Sequence, residues 1–93
     1  MLYDITFDTF LLLVSEFLGI EKKLLSENIS LRDDLGIDSL SIINFIVKLE
    51  KQYDIQFNTE SLWEARTLGE VYGLFNKQLL LVEAKNLTFV QKK

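Results

Sequence analysis

Ser39 is the side chain best placed to do chemistry in this sequence. It lies in Leu35-Gly36-Ile37-Asp38-Ser39-Leu40, between an acidic loop and a strongly amphipathic stretch. The position puts its hydroxyl at the N-terminus of an expected helix. Unpaired backbone N–H groups and the positive end of the helix dipole favour a phosphate attached there. Ser39 also has a plainer reading as a helix N-cap, a role at which serine is among the best residues. Asp38 is a good cap as well, and its charge suits the dipole. The chain has no histidine and no cysteine. Imidazole and thiolate metal sites are thereby removed, a disulfide framework is excluded, and no serine has the usual histidine to activate it. Asp33 and Asp34 read as a solvated acidic turn, because a calcium loop needs alternating Asp or Asn, then Gly, and a distant Glu. No metal site is expected, and no paired acid–base constellation argues for an enzyme.

The elements that must position Ser39 are helices. Phe7, Phe10, Leu11, Val14, Phe17 and Leu18 recur at intervals of three and four, and Gly19 follows as a stop. This predicts a first helix over about residues 6–18, with Leu12 and Leu13 off the stripe. Residues 19–38 form a long connection. Leu24, Leu25, Ile29 and Leu35 are expected to tack it to the bundle, and Ser30 with Asp33 to cap a short turn. Ser39 to Tyr53 gives the strongest helix signal, with Ile42, Phe45, Ile46, Leu49 and Tyr53 as its core stripe. A second stripe on this helix, Leu40, Ile43 and Val47, fits either burial on most sides or an apolar docking patch beside Ser39. Ser61-Leu62-Trp63-Glu64 and Thr67-Leu68-Gly69-Glu70 both match the capping box, which implies a very short third helix and at once a fourth. Leu68, Val71, Tyr72, Phe75 and Leu79 form the buried face of the fourth. The fold expected is all-α, a four-helix bundle of three long helices and one short, over residues 1–82. Residues 83–93 show no clear period and are left as a tail without assigned structure.

Composition narrows the function classes. An apolar fraction of 48% in 93 residues suits one folded domain, and the absence of proline suits long helices. Fourteen acids oppose ten bases, and residues 1–38 hold eight of the acids with three bases. An acidic front half disfavours nucleic acid and suits basic protein partners. Phe10-Leu11-Leu12-Leu13-Val14 is too short to span a membrane, and Asp4 and Asp8 precede it where a signal peptide would carry bases. A cytoplasmic monomer is expected.

The hexapeptide around Ser39 resembles the acyl carrier proteins. Gly36, Asp38, the leucines at 35 and 40, the apolar second helix ending in Tyr53-Asp54-Ile55 and the capped short helix all lie where that family has them. The resemblance runs over roughly residues 7–80. It implies an acyl-carrier-like four-helix bundle in which Ser39 is no catalyst but the attachment point of 4′-phosphopantetheine. A phosphopantetheinyl transferase would install this arm from coenzyme A, with Asp38 helping to position the enzyme's metal and basic groups. Acyl groups would then ride as thioesters between acyl-loading and acyl-processing enzymes, partly shielded between helices two and three. The resemblance also implies that Leu40, Ile43, Val47 and Asn44 meet those partners.

One departure from the family bears on the pathway. Fatty-acid carriers usually line helix two with acids, whereas this chain presents Ser41, Asn44, Lys48 and Lys51, with Glu50 the main acid. Electrostatic complementarity governs encounter rate and partner choice, so a specialised polyketide, lipid-modification or peptide-associated pathway is expected. A peptidyl or aminoacyl carrier is an alternative, ranked lower because such carriers more often place a second glycine where Ile37 stands. An unmodified helical adaptor that binds through Leu40 and Ile43 is the alternative from another class.

Overall fold

A computed structural model describes the backbone of residues 5–91 and the side chains of residues 5–84. The order is α1 (Phe7–Leu18), a single 3-10 turn (Lys22–Leu24), α2 (Ser39–Tyr53), α3 (Thr59–Glu64) and α4 (Leu68–Gln91), with no strand among the described residues. This is the expected bundle of three long helices and one short. Local chemistry sets the ends. Thr6 Oγ1 accepts the Thr9 N–H at 3.1 Å to open α1, and Gly19 closes it in the left-handed region at φ 71°. Asp54 closes α2 in the same way at φ 56°, a conformation that Asp tolerates better than most residues.

Two caps differ in outcome. The Thr67 box forms as expected: Thr67 Oγ1 accepts the Glu70 N–H at 3.2 Å, while Glu70 Oε1 accepts the Thr67 N–H at 3.1 Å. The Ser61 box is not used. Asn58 caps α3 by accepting the Ser61 N–H at 2.9 Å, so the helix begins two residues before the box. Asn58 is an equally good cap and lies nearer the end of α2.

The expected stripes supply most of the core. Phe10, Val14, Phe45, Leu49, Leu68, Phe75 and Leu79 are almost completely buried. Phe75 is the hub, with ring centroids 5.5 Å from Phe10 and 5.3 Å from Tyr53. Such tilted and edge-on pairs add to the burial of the rings. Phe17 belongs to the α1 stripe by spacing yet is exposed, its ring lying 5.5 Å from that of Phe45 at the margin of the core. The fourth helix does not stop at the tail, since its backbone continues to Gln91 through the stretch without a clear period.

The long connection is nailed down by Leu25 and Leu31, which are buried, with Ile29, Leu35 and Ile37 half-buried against the core. Leu24 does not tack the loop; it ends the 3-10 turn facing solvent. Ser30 does cap a turn, its Oγ accepting the Asp33 N–H at 3.0 Å. The reciprocal carboxylate comes from Asp34, which accepts the Ser30 N–H at 2.8 Å. Loop carbonyls also satisfy the first donors of α4: Leu68 N–H reaches Ile29 O and Gly69 N–H reaches Glu27 O, both at 2.9 Å. A Cβ on Gly69 would lie 2.7 Å from Glu27 Cγ and 3.1 Å from its carbonyl oxygen. Gly69→Ala therefore gains about 1 kcal/mol of helix propensity but overpacks the joint, at about 1–3 kcal/mol. A lower midpoint in thermal melting is expected; a rise would mean that the loop yields freely.

Candidate functional site

Gly36 takes φ +70°, which a residue with a Cβ rarely adopts, and Ile37 N–H then donates to Leu31 O at 2.9 Å. This closes the loop directly before α2. Asp38 follows in extended conformation and caps the helix, its Oδ1 accepting the Ser41 N–H at 2.8 Å. Ser39 is thus the first helical residue and not the N-cap. Its side chain is exposed, and among the described residues no group hydrogen-bonds its hydroxyl. Among the described residues the Ser39 and Leu40 N–H groups at the mouth of α2 likewise find no backbone acceptor, whereas Ile42 N–H returns to Asp38 O at 3.2 Å. A hydroxyl free of structural duty therefore stands beside free donors and the positive end of a helix.

The backbone N–H of Ser41, and then its hydroxyl, hold the Asp38 carboxyl below the ordinary aspartate value of 3.8. A lowered carboxyl contributes stability above the unfolded value and loses it as pH falls through the folded one. The first turn of α2 should therefore keep its cap at neutral pH and fray once the pH drops below the ordinary value of 3.8. An NMR pH titration of the Ser41 amide checks this, and an unchanged amide shift through the acidic range would contradict it.

The second stripe of α2 is surface. Leu40 is 67%, Ile43 43% and Val47 38% exposed, and Asn44 lies exposed on the same face. Lys48 and Lys51 are exposed too. Glu50, the one acid of α2, is half-buried and spends its carboxylate on the Phe57 N–H at 2.9 Å. The solvent face of this helix thus offers cations without a free acid.

A cleft of about 290 Å³ opens between α2 and α3, with Ser39 in its lining. Ile42, Ile46, Phe57, Leu62, Leu68 and Val71 give it apolar walls. Such a cleft can sequester a hydrocarbon chain tethered at its edge. Sequence reasoning named the α2 wall but missed Arg32, Leu62 and Trp63 on the other side. A six-residue α3 is too short to show a period, and the only available signal was a lone tryptophan beside an apolar residue. Among the described residues no group of acids could hold a metal ion, and no helix is long and apolar enough to cross a membrane.

Comparison with known proteins agrees with this geometry. Residues 8–75 match the family model described as a phosphopantetheine attachment site. An acyl carrier protein of Rhodococcus erythropolis is 36% identical over 75 residues, covering 80% of this chain and 82% of that protein. A meromycolate extension acyl carrier protein of Mycobacterium bovis is 35% identical over 65 residues, 70% of this chain and 56% of that one. The solution structure of a holo acyl carrier protein from Geobacter metallireducens superposes with a TM-score of 0.70 at 29% identity, covering 89% of this chain and 91% of that chain. A serine-bearing helical bundle matched in this way over most of its length belongs to the acyl carrier protein family, whose members carry 4′-phosphopantetheine and serve partner enzymes without being catalysts themselves.

Proposed function

We propose that Ser39 carries the 4′-phosphopantetheine arm. The observation that carries this reading is its exposed hydroxyl, relieved of capping by Asp38, at the edge of the apolar cleft. The residues fit such a group: the N–H groups of Ser39 and Leu40 at the start of α2 would serve a phosphate on that oxygen, and the cleft would take apolar material beside it. When bound, the arm supplies the thiol that a cysteine-free chain lacks. Ser39 supplies the ester oxygen, α2 orients the phosphate, and the walls of the cleft exclude water from part of the cargo. Asp38 at the helix start contributes charge toward the transferase's cation. The unit that does this is the bundle of residues 1–82, working as a cytoplasmic monomer with a transferase and with acyl-loading and acyl-processing enzymes. Leu40, Ile43, Asn44 and Val47 form the face that these partners touch. The test is intact mass after incubation with coenzyme A and a broad-specificity transferase. A gain of one arm supports the reading, and an unchanged mass favours an unmodified adaptor.

The pathway is a dedicated one, outside housekeeping fatty-acid synthesis. The charge on α2 supports this, since Glu50 is committed to Phe57 and the exposed positions are Asn44, Lys48 and Lys51. Each mismatched surface charge is worth only about 0.2–1 kcal/mol, but several on one docking face act together on encounter rate. Replacing Asn44, Lys48 and Lys51 with Glu should raise malonyl transfer from fatty-acid enzymes to the holo protein, most at low salt where screening is least. Fast transfer to the wild type, with no gain in the triple variant, would remove the argument for a dedicated pathway.

A further inference from the structure

The α3 side of the cleft is not purely apolar. Three charged side chains line the cleft as a whole, Glu50 from α2 and Arg32 and Arg66 from the segments before α2 and after α3. Glu50 is held by the Phe57 N–H, and Arg66 Nη1 lies 3.6 Å from Asp33 Oδ2. Asp34 is engaged by the Ser30 N–H and Asp38 by the Ser41 N–H, while Glu60 and Glu64 of α3 are exposed. Arg32 differs. Its guanidinium carbon lies 5.9 Å from the centre of the Trp63 ring, and among the described residues it has no carboxylate partner. Trp63 is itself 53% exposed. A guanidinium set against an aromatic ring keeps its edge donors free, and those donors match a carboxylate.

We propose that Arg32, braced on Trp63, receives a carboxylate at the far end of the tethered acyl group, so that this carrier favours dicarboxylic over simple fatty cargo. The proposal rests on Ser39 bearing the arm. A phosphate on Ser39 would be served by the N–H groups at the start of α2. The cation on the α3 side is left for what the arm brings across the cleft. The apolar walls take up methylenes in either kind of cargo, so it is the guanidinium that discriminates between an acidic and a methyl end.

Glutaryl and pentanoyl groups have equal carbon counts and differ in that end. Each is loaded from its coenzyme A thioester by a broad-specificity transferase onto wild type and Arg32→Gln, and loading is verified by mass. Cleavage of the thioester by hydroxylamine is then timed, and the emission of Trp63, the chain's one tryptophan, is recorded. In the wild type the glutaryl thioester should be cleaved about two- to fivefold more slowly than in Arg32→Gln, as suits one exposed ion pair, and the difference should shrink with salt. The pentanoyl thioester should be cleaved equally in both, and Trp63 emission should shift only with glutaryl cargo. Equal glutaryl rates in the two proteins would overturn the proposal. So would an equal Trp63 response to the holo form with a free thiol, because the phosphodiester would then be the anion held. A chain that gains no arm fails at the earlier step and removes the Ser39 reading itself.

Discussion

Ser39→Ala should abolish modification completely while leaving the fold untouched. With coenzyme A and a transferase, the wild type gains one arm and the variant none, as read by intact mass. The effect is all or none because the transferred group needs an oxygen at that site. The neighbouring hydroxyl, Ser41, lies two residues into α2, with its backbone N–H already committed to Asp38. Stability should barely move. Asp38 supplies the cap and the Ser39 hydroxyl bonds to nothing among the described residues, so the change belongs to the surface class, within about 0.5 kcal/mol. This pairing of outcomes separates the present geometry from the plain-cap reading, in which alanine would cost about 1 kcal/mol of helix stability. Modification of the alanine variant would place the site elsewhere. Loss of modification together with a collapsed melting curve would mean that Ser39 matters for structure instead.

Phe75→Ala should be the most damaging single substitution to the fold. The side chain is wholly buried, and its ring contacts those of Phe10, Tyr53 and Phe57. Removing it takes away the hub of α1, α2 and α4 and leaves a cavity that rigid aromatic neighbours fill poorly. A loss of about 3–5 kcal/mol is expected, a large share of what a small domain has to spare. Phe45→Ala and Leu49→Ala, both on the buried face of α2, should fall in or just below this range. Ile43→Ala is the contrast. At 43% exposure it should lose far less stability, yet slow loading or transfer by the cognate enzyme. Denaturant melts and transfer rates measured on the same four variants decide the matter. An Ile43→Ala protein that melts like the core variants and transfers normally when folded would end its assignment to the partner-facing surface.

Much of this protein was legible before any coordinates. Helical period placed Phe10, Val14, Phe45, Leu49 and Phe75 in the core, because a helix with one apolar face has little choice but to bury it. Gly19 as a stop and the Thr67 box as a start were readable because end chemistry is local. The start of α2 at Ser39 was readable from its immediate neighbours, which set a helix start whatever packs around it. The stripe of Leu40, Ile43 and Val47 was ambiguous for the opposite reason. Spacing says that residues share a face, but only the arrangement of the other helices decides whether that face is covered. Phe17 and Leu24 mark the same limit, since each fits an apolar pattern yet is left partly open to solvent by the packing around it. The choice of Asn58 over Ser61 as the cap of α3 was a contest between two adequate local signals, settled by where the chain leaves α2. A shielded space between α2 and α3 was implied by the family resemblance, but its α3 wall and the Arg32–Trp63 pair were not. They arise from segments 31 residues apart, brought together only when the long connection, α2 and α3 pack around one core.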